Sequence, residues 1–102
     1  MELTSKQRAQ LRSLANGIDT ILIVGKDGIG DNLVAQANDA LESRELVKGK
    51  VLETCEFTPR EICEQLSRLT RSEQVQVIGS KFVLYRASHR KDKKDKIVLA
   101  KK

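Results

Sequence analysis

The hydrophobic residues of this chain recur with a helical period in three stretches and with a strand period in four. The helical stretches carry apolar residues three and four positions apart, whereas the strand stretches are short and rich in Ile, Val and Leu. The predicted order is αβαβαββ, with helices over 4–15, 31–43 and 58–71 and strands over 20–24, 46–52, 74–78 and 81–86. This order predicts an α+β fold of two layers, because right-handed crossovers place the second and third helices on one face of a mixed four-stranded sheet.

Local signals define the ends of several elements. Thr4, with Gln7 three positions later, forms a capping box, and Thr58-Pro59 is a typical helix start. Gly17 is predicted to end the first helix as a left-handed cap. Gly79-Ser80 is predicted to be the two-residue loop of a hairpin between the last two strands.

The helical stripes also predict the core. The residues expected to be buried in the first and third helices are Leu11, Leu14, Ala15, Ile62, Cys63, Leu66 and Leu69. Phe82 and Tyr85 lie three positions apart in the last strand, so their side chains point to opposite faces and one of them is expected in the core. With Phe57 as the only other aromatic residue, we do not expect a sheet platform for stacked bases.

The excess of positive charge lies at the end of the chain. The 102 residues include 19 Lys and Arg against 14 Asp and Glu, a net charge of +5. From Arg86 onward there are eight basic and two acidic residues, while residues 1–85 hold 11 and 12. We therefore expect one domain over 1–87 and a mobile basic tail over 88–102, in which residues 97–99 are apolar enough to pair briefly with a sheet edge. Such a basic balance favours nucleic acid or an acidic surface as the partner.

Catalytic and metal chemistry are not indicated. His89 is the one histidine and lies in the basic tail, where it cannot complete a buried catalytic triad. Cys55 and Cys63 have no second pair of ligands for zinc. The sequence does not decide whether they form a disulfide. We expect a protein that is not an enzyme and has no cofactor and no small-molecule substrate. The first residues carry no apolar signal region and no run reaches membrane length, so we expect a cytoplasmic protein with no membrane partner.

A glycine-bracketed turn follows the first predicted strand. Gly25-Lys26-Asp27-Gly28 leads into the second helix, near whose first turn Gly30 and Asp31 lie. Glycines let the backbone approach a ligand closely, a helix N-terminus attracts anions, and Lys26 adds a full positive charge. The pattern favours a phosphate-bearing partner such as RNA, as in the G-x-x-G turn of KH domains, and differs from the dinucleotide motif G-x-G-x-x-G.

Other basic residues could extend this surface. The further residues expected to contact RNA are Lys6, Arg8, Arg12, Lys81, Arg86, Arg90 and Lys91. Arg8 and Arg12 share one face of the first helix, whereas the second helix is acidic and is expected to face away from the RNA. Taken singly, each of these side chains is more typical of an ordinary solvated charge than of an RNA contact.

Five blocks of sequence occur in the order found in one protein family. They are LTSKQ (3–7), LRSLA (11–15), VGKDGI (24–29), LESRELVK (41–48) and VQVIGSKFVLYR (75–86). In these blocks the chain resembles the bacterial YhbY-like proteins, which are stand-alone CRM domains (chloroplast RNA splicing and ribosome maturation). The resemblance implies a fold like the C-terminal domain of translation initiation factor three, with the fourth strand between the second and third. It also implies RNA binding through residues 25–28 and the nearby basic surface, and association with ribosomal RNA in precursors of the large subunit, whose assembly it would assist.

The chain departs from the family pattern at three glycines. Gly17 stands where a histidine is common, Gly30 replaces a polar helix cap, and Gly49 replaces a branched apolar residue. Gly49 within a strand indicates a bulge or a close neighbour, and both Gly17 and Gly49 are expected to loosen local packing. We expect a monomer. Two other functions stay open, a DNA-compacting protein that depends on the tail and a protein-interaction module that uses the acidic second helix.

Overall fold

The computed structural model describes residues 3–88. Its elements are α1 (Ser5–Ala15), β1 (Thr20–Val24), α2 (Asp31–Arg44), β2 (Leu46–Val51), α3 (Pro59–Thr70), β3 (Glu73–Ile78) and β4 (Lys81–Tyr85). This order confirms the prediction from the hydrophobic pattern. The expected pairing of residues 97–99 with a sheet edge lies outside the described residues.

The four strands form one mixed sheet in the order β1-β2-β4-β3. β1 and β2 are parallel, and β4 is antiparallel to both of its neighbours, so it lies between β2 and β3 as the family resemblance implies. Because β1, β2 and β3 all run in one direction, the segments that follow them leave the sheet at the same end. We call this the loop end of the sheet.

Helices α2 and α3 cover one face of the sheet, as expected for the α+β fold, and the main core lies between them. Its buried residues are Leu22, Val24, Leu33, Ala37, Leu41, Val47, Val51, Ile62, Cys63, Leu66, Phe82 and Leu84. The sequence pattern left α1 unplaced. In the structure α1 covers part of the opposite face, where Leu11 and Ala15 pack with Val83 and Tyr85. Phe82 and Tyr85 lie on opposite faces of the sheet as predicted, with Phe82 in the main core, but Tyr85 is buried as well because α1 covers its face.

Two predicted core leucines lie at the surface instead. Leu14 of α1 is 44% exposed and Leu69 of α3 is 57% exposed. The buried stripe of α3 continues from Leu66 to Thr70, whose hydroxyl donates a hydrogen bond to the Leu66 carbonyl at 2.7 Å. A threonine can take this buried position because its hydroxyl is satisfied by the preceding turn of its own helix.

Three glycine predictions have different outcomes. Gly79 has φ +57° at the first position of the β3–β4 turn, which confirms the two-residue hairpin loop. The backbone of Gly17 is not in the left-handed region, so the prediction of a left-handed cap is wrong. The C-cap of α1 is Asn16, whose backbone is in the right-handed helical region. Gly49 does not loosen the strand, since the Phe82 ring fills the space above it. Within residues 3–88, no helix is long and apolar enough to cross a membrane.

Candidate nucleic-acid interface

Residues 25–28, which we call the GKDG loop, form a tight turn at the loop end of the sheet. The Gly28 N–H donates to the Gly25 carbonyl at 3.0 Å, and Gly28 has φ +66°, in the left-handed region that glycine enters most readily. Lys26 and Asp27 at the tip are exposed. Lys26 has no ion pair among residues 3–88, so its ammonium group is available to an anion from solvent.

The loop leads into the N-terminus of α2. Gly30 is the N-cap and provides no side-chain hydrogen bond to the first turn. The first N–H groups of a helix have no partner within the helix, and their partial positive charge attracts anions. Asp31 in the first turn already complements this charge in part. Lys26 and the loop backbone are therefore the principal groups that a phosphate could meet here.

The GKDG loop rests on the segment that follows β2. A Cβ added to Gly25 would lie 3.7 Å from Leu52 Cδ1, and one added to Gly28 would lie 3.5 Å from Phe57 Cδ2. These are ordinary van der Waals distances, so both glycines are in near contact with apolar side chains. The loop therefore packs against the segment that joins β2 to α3.

Two lysines lie directly opposite each other at the loop end of the sheet. Lys50 of β2 pairs in register with Lys81 of β4, while Ile23 adjoins Lys50 and Ile78 adjoins Lys81. All four side chains are exposed on the sheet face that α1 leaves open at the loop end. Like charges directly opposite on neighbouring strands repel each other. Neither lysine has an ion pair in the described part of the chain, so this pair favours a bound anion.

A third lysine lies on the same face. The Lys48 ammonium group donates to the Ala15 carbonyl at 3.3 Å and thus caps the last turn of α1. Beside it, a pocket of about 160 Å³ is lined by Asn16, Lys48, Gln76, Ile78, Lys81 and Val83. No acidic residue from the described part of the chain lines this pocket. We call Lys48, Lys50 and Lys81 the lysine face.

The structure brings together only some of the residues expected from the sequence. The GKDG loop and Lys81 lie at the loop end, and Lys6 and Arg12 are exposed on α1, on the same side of the sheet as the lysine face. Arg8 Nε donates to the Gln74 carbonyl at 3.3 Å, near the start of β3. Arg8 therefore ties α1 to the sheet at the end away from the GKDG loop.

Arg86 lies apart from the loop. It follows β4 at the opposite end of the sheet, where its guanidinium donates to Asn38 Oδ1 at 2.8 Å and to the Thr70 carbonyl at 2.7 Å. It also donates to the Asn38 carbonyl and forms an ion pair with Glu42 at 3.2 Å. These bonds join α2, α3 and β4, so we leave Arg86 out of the proposed surface. Residues 90 and 91, also expected at the surface, lie outside the described residues.

Sequence reasoning missed Lys48 and Lys50 as site residues. The signal was present, because these lysines alternate with Val47, Gly49 and Val51 in β2 and so share the polar face of the strand. The sequence pattern did not give the register that places Lys81 opposite Lys50. That register joins a lysine of the hairpin to a lysine of the parallel strand pair.

Two groups in the core have raised pKa values. Burial raises the pKa of the Cys63 thiol to about 12, with a further increase from the Glu64 carboxylate. Burial also raises the pKa of Tyr85, and the nearby Glu45 carboxylate adds to this. Both cysteines are free thiols.

Comparisons with known proteins agree with this fold. The profile of the CRS1/YhbY (CRM) domain matches residues 3–86. The chain is 45% identical over 86 residues to a Bacillus subtilis protein named "Probable RNA-binding protein YqeI", covering 84% of this chain and 90% of that protein. It is 35% identical over 86 residues to a protein of Haemophilus influenzae named "RNA-binding protein", covering 84% and 87% of the two chains. The solution structure of the hypothetical protein SAV1595 from Staphylococcus aureus superposes with a TM-score of 0.75 at 49% identity, over 89% of this chain and 95% of that one. This chain belongs to the CRS1/YhbY family of CRM-domain proteins.

Proposed function

We propose that this protein binds RNA through the GKDG loop and the lysine face, acting as a monomer without catalysis. The observation that carries the proposal is the direct opposition of Lys50 and Lys81 at the same end of the sheet as the exposed Lys26. The names of the relatives in Bacillus and Haemophilus support RNA as the partner. We further propose that the RNA is ribosomal RNA in precursors of the large subunit, whose assembly the protein assists in the cytoplasm.

The phosphate backbone supplies most of the proposed affinity. Lys26, Lys50 and Lys81 offer ammonium groups, and the exposed Lys6 and Arg12 extend the positive surface along α1. With about five phosphate contacts, the slope of log K against log salt is expected to be about −3.5 to −4.5. Binding of this kind reads the shape of a folded RNA more than its base sequence.

The basic segment 88–102 is proposed to increase the electrostatic attraction to RNA without selecting the RNA site that the protein binds. This separates the proposal from a general DNA-coating role, in which the tail would dominate and duplex DNA would bind as well as RNA. Removing residues 89–102 should therefore weaken RNA binding at low salt but retain the preference for RNA. A truncated protein that lost all RNA binding would favour the coating role.

Fluorescence anisotropy with fragments of large-subunit ribosomal RNA tests the interface directly. We expect Lys26→Ala and Lys81→Ala each to weaken RNA binding, while Arg68→Ala, an exposed cation of α3, changes it little. The match in charge makes Arg68→Ala a suitable control. Equal losses in all three variants would show that only net charge matters and would contradict the proposed interface.

A ribosome gradient tests the assembly role separately. At low magnesium, tagged protein is expected to sediment at or just below the large subunit. The variant Lys26→Ala with Gly28→Asp, which removes a positive charge and adds a negative one to the GKDG loop, is expected to stay at the top of the gradient. Wild-type protein that stayed at the top in growing cells and at low salt would refute the ribosomal part of the proposal while leaving RNA binding to the anisotropy experiment.

A further inference from the structure

An apolar groove adjoins the GKDG loop on the side of the β2–α3 segment. It has a volume of about 370 Å³, and its lining includes Leu52, Phe57, Pro59 and Ser80. Leu52 is 37% exposed and Phe57 is 38% exposed, so part of an aromatic side chain is open to solvent here. We call this the Phe57 groove.

Phe57 connects this groove to the loop that is proposed to hold phosphate. The same Phe57 ring that lines the groove lies against Gly28, at the 3.5 Å distance that an added Cβ would have. A nucleotide whose phosphate lies on the loop would therefore have the groove beside its sugar and base.

The charge of the groove excludes a second phosphate. Among residues 3–88, its charged lining residues are Glu53 and Glu56, and neither Lys nor Arg lines it. Two carboxylates repel a phosphate, but they accept hydrogen bonds from the amino group of a base. An aromatic ring with acceptors at its rim fits an unpaired base that stacks on its face and donates from its edge.

We propose that the Phe57 groove binds one unpaired nucleobase of the RNA strand held by the GKDG loop, with preference for a base that carries an amino group. This inference rests on the proposed RNA binding and adds a base contact to a surface that otherwise meets the backbone. It gives Phe57 a role in RNA recognition that its place in a loop between β2 and α3 does not indicate from sequence.

Binding of oligoadenylate, oligouridylate and a blunt RNA duplex to the full chain tests the stacking. Phe57→Ala is expected to weaken oligoadenylate binding by about 5- to 100-fold, the usual effect of losing one stacked base, and to leave duplex binding nearly unchanged. Phe57→Tyr should retain the wild-type affinity because it keeps the ring. Phe57→Leu keeps an apolar contact with Gly28 and should behave like Phe57→Ala, which separates stacking from packing.

A fluorescent base gives a second readout. Oligoadenylate with one 2-aminopurine should change its fluorescence when it stacks on wild-type protein, and the change should be absent with Phe57→Leu. The double variant Glu53→Gln with Glu56→Gln should lower the ratio of oligoadenylate affinity to oligouridylate affinity. The reason is that amides accept a hydrogen bond from an amino group less strongly than carboxylates do. A wild-type protein with no preference for oligoadenylate would overturn the preference for an amino-bearing base.

The outcomes distinguish this inference from the proposed function. One outcome is that Lys26→Ala weakens the binding of every RNA while Phe57→Ala binds all of them with wild-type affinity. In that case the proposed function stands and the proposed base site is wrong. The groove would then be left to a protein partner. If wild-type protein binds neither these three RNAs nor the fragments of large-subunit ribosomal RNA, the proposed function fails and the base site fails with it.

Discussion

The ring of Phe82 lies directly over the Cα of Gly49, its register partner on the neighbouring strand. A Cβ added to Gly49 would come within 2.3 Å of Phe82 Cζ, a separation that real Cβ atoms do not show. Phe82 is fully buried between β2 and the helices above it. The glycine is therefore a packing requirement, because the ring occupies the volume that a side chain at position 49 would take.

This relationship predicts how the sheet responds to a side chain at position 49. Gly49→Ala should lower the free energy of unfolding by about 1–3 kcal/mol, since overpacking of the core outweighs the gain in strand propensity. Phe82→Leu should also destabilise the protein, because it leaves a cavity. The double variant should be destabilised by less than the sum of the two, and urea unfolding of all four proteins measures this coupling. Strictly additive effects would contradict the contact.

Gly49 illustrates which part of the fold the hydrophobic pattern alone does not predict. The hydrophobic periods gave the element order, because amphipathic helices and alternating strands must each present one apolar face. They also indicated a close neighbour at Gly49 but could not identify it. Identifying Phe82 requires the register of β2 against β4, which depends on a pairing between residues more than 30 positions apart.

The same reason explains the candidate site. The GKDG loop was predictable because its glycines, lysine and helix start are adjacent in sequence. The Lys50–Lys81 pair was not, since only the register of two strands brings those side chains together. Arg86 was assigned to RNA from its charge alone, whereas its surroundings in the fold, with Asn38 and Thr70 as acceptors, give it a packing role.

Arg86 is expected to stabilise the fold and to have little direct effect on RNA binding. Arg86→Met should lower the free energy of unfolding by about 2–3 kcal/mol, because the carbonyls of Asn38 and Thr70 lose a charged donor. Arg86→Lys keeps the charge but not the fork-shaped donor, so it should also destabilise the protein. Chemical denaturation measures both changes, and RNA affinity is compared where each variant is folded. A large decrease of affinity in folded Arg86→Met that Arg86→Lys restores would show an RNA contact instead.

The two cysteines are expected to react at very different rates. At pH 8, a disulfide reagent should modify Cys55, which is partly exposed, long before it modifies Cys63, which is fully buried. The pKa of Cys63 is raised to about 12, so almost no thiolate is present at this pH. Cys55→Ser should remove the fast phase. Two fast phases of equal size in the wild-type protein would contradict the buried position of Cys63.

The raised pKa of Cys63 also predicts a loss of stability in alkali. The folded protein favours the neutral thiol, so the stabilising contribution is complete below pH 9 and is lost as the pH rises towards 12. Above pH 9, this thiol should lower the free energy of unfolding by up to about 1.4 kcal/mol per pH unit. Cys63→Ala should lack this component, and the difference between the two proteins in urea unfolding from pH 8 to pH 11 isolates it. Parallel pH profiles would refute the assignment.

The opposition of Lys50 and Lys81 predicts that stability and RNA affinity change in opposite directions. Lys81→Glu replaces a repulsive cross-strand pair by an attractive one and should raise the free energy of unfolding by about 0.2–1 kcal/mol. The same change should weaken RNA binding and make the slope of log K against log salt shallower by about 0.7–0.9 for each phosphate that the protein no longer neutralises. Lys26→Ala should weaken binding without the gain in stability, because Lys26 has no opposed cation in the described residues. If Lys81→Glu bound RNA as tightly as wild type, the lysine pair would not be part of the interface. If Lys81→Glu lowered the free energy of unfolding, the two lysine side chains would not repel each other in the wild-type protein.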